Sequence, residues 1–225
     1  MDERTEGAGV RAVGGSAVEG RGAGGRTAKV SRETGETSVE VSINLDGGAA
    51  AASGGARIRV KTGIGFFDHM LHALAFHAGW GLELVCEGDT EVDDHHTVED
   101  TGLALGGAVA RALGEGKGGI VRFGHSFAPL DEALARAVAD VSGRPFFAGE
   151  MSLKRERVGA LSCEMVPHFF HSFAQAAGLT LHVDVIRGAN DHHRIEAAFK
   201  AVALALRTAL ARSGSERVPS TKGVL

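Results

Sequence analysis

Val39, Val41, Ile43 and Leu45 alternate with small or polar residues, which predicts a half-buried strand. Asp46-Gly47-Gly48 ends it as a turn, residues 49–55 read as a flexible loop, and Ile58 and Val60 predict a second strand. Phe66, Phe67, Met70, Leu71, Leu74 and Ala75 then recur at helical spacing, so a helix is expected over 66–78, closed by Gly79. Leu82, Leu84 and Cys86 alternate again as a strand, and the residues after 94 predict a helix carrying Leu103, Leu105, Val109 and Leu113. The same order then returns. Asp131 to Val141 is strand-like and ends in the turn Ser142-Gly143-Arg144-Pro145. A helix is expected from about His168 to Ala177, closed by Gly178, then an alternating strand over 179–185 and an alanine- and leucine-rich helix to about Arg212.

This recurrence reads as an internal duplication. Phe67-Asp68-His69-Met70 opens a helix that ends before Gly79-Trp80-Gly81-Leu82, and Pro167-His168-Phe169-Phe170 opens one that ends before Gly178-Leu179-Thr180-Leu181. His69 precedes His95 by 26 residues and His168 precedes His192 by 24. The expected architecture is α+β with pseudo-twofold symmetry, each half a small sheet backed by two helices. The halves are set at 26–117 and 118–217, followed by a C-terminal tail over 218–225. Residues 1–25, rich in glycine and alanine, are expected to be a disordered tail because they offer too little apolar surface to offset chain entropy.

Bulk properties narrow the function classes. A net charge of −4 gives no global basic field for nucleic acid. No apolar run reaches membrane-spanning length, and the acidic start with no apolar stretch is unlike a signal peptide. The two cysteines, Cys86 and Cys163, are far apart and read as buried thiols of a reducing compartment, so a cytoplasmic location is expected.

Chemistry concentrates in a doubled motif. Asp94-His95-His96-Thr97-Val98-Glu99 has a near twin in Asp191-His192-His193-Arg194-Ile195-Glu196. On a helix, Glu99 can share a face with His95 or His96, and Glu196 with His192 or His193. Adjacent histidines diverge by about 100° on a helix, so each pair is suited to serving two different ions. Adding the helical His69 and His168 gives six imidazoles and two carboxylates, or four candidate ligands for each of two ions: His69, His95, His96, Glu99, His168, His192, His193 and Glu196. Nitrogen and oxygen donors without thiolates suit manganese, and also iron, nickel or zinc. The remaining histidines, His72, His77, His125 and His171, read as surface or packing residues, and His182 as a structural group on a strand.

The two halves are not chemically equal. Lys200 lies on the stripe that carries His193 and Glu196, where the first half has Leu103. With Arg122, Arg144 and the tail Ser220-Thr221-Lys222-Gly223 it has the chemistry of an anion grip, since forked and charge-assisted hydrogen bonds hold phosphate.

Taken in order, Phe67-Asp68-His69-Met70-Leu71, Asp93-Asp94-His95-His96-Thr97-Val98-Glu99-Asp100, Pro129-Leu130-Asp131-Glu132-Ala133, Ser142-Gly143-Arg144-Pro145, His168-Phe169-Phe170, His192-His193-x-x-Glu196-Ala197-x-Phe199-Lys200 and Ser220-Thr221-Lys222-Gly223 closely resemble the imidazoleglycerol-phosphate dehydratase family over about residues 26–225. The resemblance implies a duplicated fold of the ribosomal protein S5 domain 2-like kind. It implies assembly into 24 subunits, with active sites between subunits and two manganese(II) ions in each. The implied reaction dehydrates D-erythro-imidazole glycerol phosphate to imidazole acetol phosphate, through a metal-stabilised imidazolate and a diazafulvene-like intermediate. It further implies Glu36 as acid/base, with His96 and His193 beside it in the catalytic set. Glu36, His69, Arg122, Arg144, Lys200, Ser220 and Lys222 are implied as substrate contacts. Asp131 and Glu132 are assigned to an outer shell or to assembly. Two competing readings are a dinuclear metallohydrolase, which would need a bridging carboxylate, and a non-catalytic metal-bridged scaffold.

Overall fold

The computed structural model describes residues 25–47, 57–114, 119–215 and 220; the tail over 1–24, the whole 49–55 loop and Lys222 lie outside the described residues. The first half runs β1 (Thr27–Glu33), β2 (Thr37–Asn44), β3 (Ile58–Lys61), α1 (Gly65–Ala78), β4 (Gly81–Gly88) and α2 (His95–Leu113). The second runs β5 (Phe123–Leu130), β6 (Ala133–Asp140), β7 (Phe146–Glu150), a two-residue hairpin of β8 (Arg157–Val158) and β9 (Leu161–Ser162), α3 (Met165–Ala177), β10 (Thr180–Arg187) and α4 (Asp191–Ala209).

The duplication is visible in the topology. One sheet has the order β1-β2-β4-β3 and the other β5-β6-β10-β7. In each, the first three strands in that order pair antiparallel, and the last (β3 or β7) pairs parallel with its neighbour. Sequence patterning missed β1, β5 and β7 and the two-residue β8 and β9, and extended the last helix past its end at Ala209.

The helices form the middle of the molecule, and they pair across the halves. α2 covers β1 and β2 and packs along α3, while α4 covers β5 and β6 and packs along α1. Between the sheets lies one continuous core. Val39, Val41, Ile43, Leu82 and Leu84 face it from one side, and Ala135, Ala137, Ala139, Leu181 and Val183 from the other. Phe67, Phe169, Phe170, Phe173 and Phe199 fill the seam, with ring centroids 5.3 Å apart for Phe67–Phe169 and 5.4 Å for Phe169–Phe199. Close helix approach along α2 and α3 depends on Gly102 and Gly106, whose missing side chains leave room for the α3 backbone at Phe169 and Phe173.

The outward sheet faces differ. The first presents Lys29, Ser31, Glu40, Arg59, Lys61 and Glu83. The second presents Phe123, Phe127, Val138 and Phe146, all at least 40% exposed, an apolar face of the kind that marks an interaction surface. Cys86 and Cys163 are both buried and unpaired. No helix among the described residues is long and apolar enough to cross a membrane.

Candidate metal centre and acid/base site

The cross-half helix pairing decides which of the candidate ligands meet. His69 on α1 joins His192 and Glu196 on α4, and His168 on α3 joins His95 and Glu99 on α2; within each trio the ligand atoms lie within 4.8 Å of one another. The upstream histidine of one half therefore completes the His-x-x-x-Glu of the other. The spacing of the ligands left this partition open; neither trio among the described residues is built from a single half. The pairs on each helix are i,i+4, with His95 Nε2 3.7 Å from Glu99 and His192 Nε2 3.3 Å from Glu196. His69 Nε2 lies 3.3 Å from Glu196, and His168 Nε2 3.4 Å from Glu99.

His96 and His193 point away from these trios, as the helical divergence of adjacent residues requires. The rings of His95 and His96 are 76° apart, and those of His192 and His193 are 85° apart. Each outer histidine is held at Nδ1 by a carboxylate: His96 by Asp89 at 3.0 Å, and His193 by Glu132 at 2.7 Å. That hydrogen bond fixes ring orientation and leaves Nε2 available, the usual arrangement behind a metal-binding imidazole. His96 Nε2 faces Glu36 at 3.6 Å and His193 Nε2 faces Asp131 at 3.8 Å.

The electrostatics follow from these partners. The hydrogen bond that His96 donates to Asp89 raises the pKa of His96, and the one that His193 donates to Glu132 raises that of His193. Glu132 is in turn lowered to about 2, first by His193 and then by the backbone amides of Asn190 and Ala189. For Glu196, burial pushes the pKa up, but the hydrogen bond and charge of Lys200, with His69 adding to them, outweigh it and leave the carboxyl below its ordinary value. Lys200 Nζ sits 2.7 Å from Glu196, so this lysine neutralises one trio and has no counterpart in the other.

The helix starts that carry these histidines are tied to one segment. Buried Asp94, just before His95, accepts from Ser162 N and from Ser162 Oγ at 2.8 Å. Buried Asp191, just before His192, accepts from Lys154 N at 2.8 Å, Arg155 N at 2.6 Å and the Arg194 guanidinium at 3.1 Å. The irregular stretch between β7 and α3 thus braces both helix starts. Neither aspartate was singled out for this role from sequence, although each stands directly before a His-His pair.

The donors fit a hard or borderline divalent ion. Each trio offers two imidazoles and one carboxylate, with no thiolate. His168 Nε2 is buried with no hydrogen-bond partner, a costly condition that a ligated ion would relieve.

The remaining named residues lie elsewhere. Arg122 adopts φ 80° and forks onto Asp140 at 2.7 and 3.1 Å, with Arg144 4.0 Å from the same carboxylate. The backbone amide of Arg122 bonds to Ala209 at the end of α4, while His192 and Glu196 stand at its start. The intervening helix separates them by about 20–25 Å, at 1.5 Å per residue. Ser220 is half-buried, and Lys222 lies outside the described residues.

The model of the imidazoleglycerol-phosphate dehydratase family matches residues 62–206. Imidazoleglycerol-phosphate dehydratase of Scheffersomyces stipitis is 53% identical over 220 residues, covering 89% of this chain and 99% of the relative. That of Candida glabrata is 58% identical over 207 residues, covering 87% and 98%. Among solved structures, imidazoleglycerol-phosphate dehydratase from Staphylococcus aureus has a TM-score of 0.68 at 38% identity, covering 82% of this chain and 98% of that one. The Pyrococcus furiosus enzyme gives 0.73 at 33%, covering 87% and 99%.

Proposed function

The chain belongs to the imidazoleglycerol-phosphate dehydratase family of histidine biosynthesis, and we propose that it dehydrates D-erythro-imidazole glycerol phosphate to imidazole acetol phosphate at a site holding two manganese(II) ions. The observation that carries this reading is the pair of pseudo-equivalent histidine–glutamate trios, each flanked by an outward imidazole whose Nδ1 is already committed to a carboxylate. Two ions with open positions match a substrate whose imidazole ring has two nitrogens. When bound, they would supply Lewis-acid stabilisation of the deprotonated ring, whose electrons can expel the neighbouring hydroxyl.

The chain's own groups have separable tasks. His69, His192 and Glu196 would hold one ion, and His95, Glu99 and His168 the other, with His96 and His193 supplying the fourth ligands. Glu36 takes the substrate's carbon-bound proton, and His96 beside it lies within reach of the same region. Arg122, Arg144, Lys200, Ser220 and Lys222 hold the phosphate and glycerol hydroxyls, and His69 contacts the ring.

Two features support sites shared between copies in a 24-subunit assembly. The Arg122–Arg144 pair stands at the opposite end of α4 from the trios, too far to grip the substrate of its own chain. His96 and His193 also turn away from the trios, so they are free to ligate in a different setting. The apolar outer face of the second sheet offers a surface for such self-association. On this reading the halves at 26–117 and 118–217 fold as one unit, the segments 1–25 and 218–225 flank it, and the enzyme works in the cytoplasm.

The test is turnover of imidazole glycerol phosphate with and without added manganese. Metal-dependent release of imidazole acetol phosphate is expected. No turnover by fully manganese-loaded, assembled protein would overturn the assignment.

A further inference from the structure

We infer that Asp100 is a positioning residue for Glu36, and that it acts through Thr37. The inference rests on the reading of Glu36 as the acid/base. Glu36 sits on the short turn between β1 and β2, and its carboxylate is more than half exposed. An exposed glutamate at a turn has many rotamers and a mobile backbone, whereas proton transfer needs a defined geometry. Something must hold the turn in register with α2, which carries His95, His96 and Glu99.

Asp100 does this from inside the protein. It follows Glu99 on α2 and is 5% exposed. One carboxylate oxygen accepts from Thr37 Oγ1 at 2.5 Å and lies 3.5 Å from Thr34 Oγ1, while the other accepts from Arg32 Nε at 2.8 Å. Arg32, Thr34 and Thr37 bracket Glu36 on both sides. Thr34 Oγ1 also accepts from the amides of Glu36 at 3.2 Å and Thr37 at 3.0 Å, which closes the turn on itself. A second tether joins the Glu36 carbonyl to the amide of Asp89 at 3.2 Å, the residue that orients His96. The acid/base turn and the helix of candidate ligands are therefore one hydrogen-bonded body centred on a buried carboxylate.

Comparison of the halves separates this from ordinary structural bracing. Both halves have the same strand–turn–strand and the same helix, and Glu99 matches Glu196 in its trio. The residue after Glu196 is Ala197, buried in the core. In that half the turn carboxylate Glu132 is itself tied to His193 on α4 and accepts from the amides of Ala189 and Asn190, so its position does not depend on a buried aspartate behind it. Only the half whose turn carries Glu36 places a buried aspartate behind it.

The experiment uses the assembled, manganese-loaded enzyme and five variants: Thr37→Val, Thr37→Ser, Asp100→Asn, Glu36→Gln and the double variant Thr37→Val/Glu36→Gln. Thr37→Val keeps the β-branched shape and removes the hydroxyl donor. It is expected to lower kcat by about 10- to 100-fold, the scale of a small misplacement of a catalytic group, with KM and metal content unchanged. Thr37→Ser restores the hydroxyl and most of kcat. Asp100→Asn, nearly isosteric, lowers kcat in the same way and stands in for Thr37→Val if that variant does not fold. In the Glu36→Gln background the Thr37→Val change costs nothing further. An unchanged kcat in both Thr37→Val and Asp100→Asn overturns the proposal, as does a loss that persists in full without Glu36 or one accompanied by loss of metal or assembly. Wild-type turnover by Glu36→Gln itself overturns the acid/base reading, a result distinct from all of these.

Discussion

Gly106→Ala tests whether the α2–α3 seam sets both stability and one of the metal trios. A Cβ added at Gly106 would stand 3.0 Å from both Ala176 Cβ and Ala177 N, and closer still to the Phe173 carbonyl oxygen. These are backbone and near-backbone atoms of the facing helix, with no flexible side chain to swing aside. The neighbouring Gly107 has nothing within 4 Å of the same added atom, so it is an internal control on the same helix. Glycine to alanine in a helix gains about 1 kcal/mol of propensity, and that gain is common to both variants. Overpacking against fixed atoms costs about 3 kcal/mol, at the upper end of the usual range. Gly107→Ala should therefore stabilise by about 1 kcal/mol and Gly106→Ala destabilise by roughly 2 kcal/mol. For a chain of this size the two should differ in Tm by about 6–12 °C. Thermal unfolding of the manganese-loaded protein, at one protein concentration for all variants, measures this directly. Because α2 carries His95 and Glu99 while α3 carries His168, the forced separation should also weaken that trio's hold on metal, read as manganese retained after dialysis. A Gly106→Ala protein at least as stable as wild type, with full metal retention, would refute the close-packed seam.

Glu36→Gln should leave metal content and assembly intact and cut turnover by about 10²- to 10⁴-fold, the range for loss of a general acid or base; near-wild-type turnover would remove Glu36 from the mechanism. His96→Ala or His193→Ala should abolish turnover and lower bound manganese, and full activity at native metal content would sink the four-ligand scheme. Because hydrogen bonds to Asp89 and Glu132 raise the pKa of His96 and His193 in the metal-free chain, manganese must displace their protons; affinity is expected to climb as pH rises above 6.5 through the raised values and then level off, as calorimetry with proton counting would show. The same raised values act oppositely on the metal-free fold: their contribution is complete below 6.5 and is lost as pH rises through the folded-state values. Chelation should break up the large assembly if ions join subunits, and light scattering of an unchanged particle would rule that out.

Most helices and the central strands were legible because their apolar residues face one way with a clear period. Val39, Val41 and Ile43 are all buried, as are Phe67, Met70 and Leu71. The strands that escaped reading break that rule for physical reasons. On β1 only Val30 is buried, so its outer face of Lys29, Ser31 and Glu33 dominates the pattern. On β5 the pattern is inverted: Phe123 and Phe127 face outward while Gly124 and Ala128 face the core, since α4 passes too close for anything larger. β7 is short and lies at a sheet edge. The candidate ligands were all named from spacing, because a His-x-x-x-Glu pair on a helix is local information. Their partition between trios was not, since it depends on which helices pack together across the duplication. The brace behind Glu36 was hidden for the same reason: Asp100 and Thr37 are 63 residues apart in sequence.

The cross-half partition also constrains how the duplication can have been used. A single half carries one helical histidine and one His-x-x-x-Glu, yet in the folded chain these never meet each other; each meets its counterpart from the other half. Neither half could therefore assemble either trio alone in this arrangement, and the helix seams are as much a part of the candidate metal centres as the trio residues. With two equivalent trios in hand, the halves are free to diverge around them. One retains Glu196 neutralised by Lys200, while among the described residues no lysine pairs with Glu99, so the trios differ by one positive charge next to the carboxylate. The other has a buried aspartate behind an exposed glutamate, where its counterpart has alanine and a turn carboxylate bound to histidine. On the proposed reading, like trios in unlike surroundings suit an asymmetric substrate, with a ring of two nitrogens to be held alike, a phosphate to be gripped on one side and a single proton to be removed on the other.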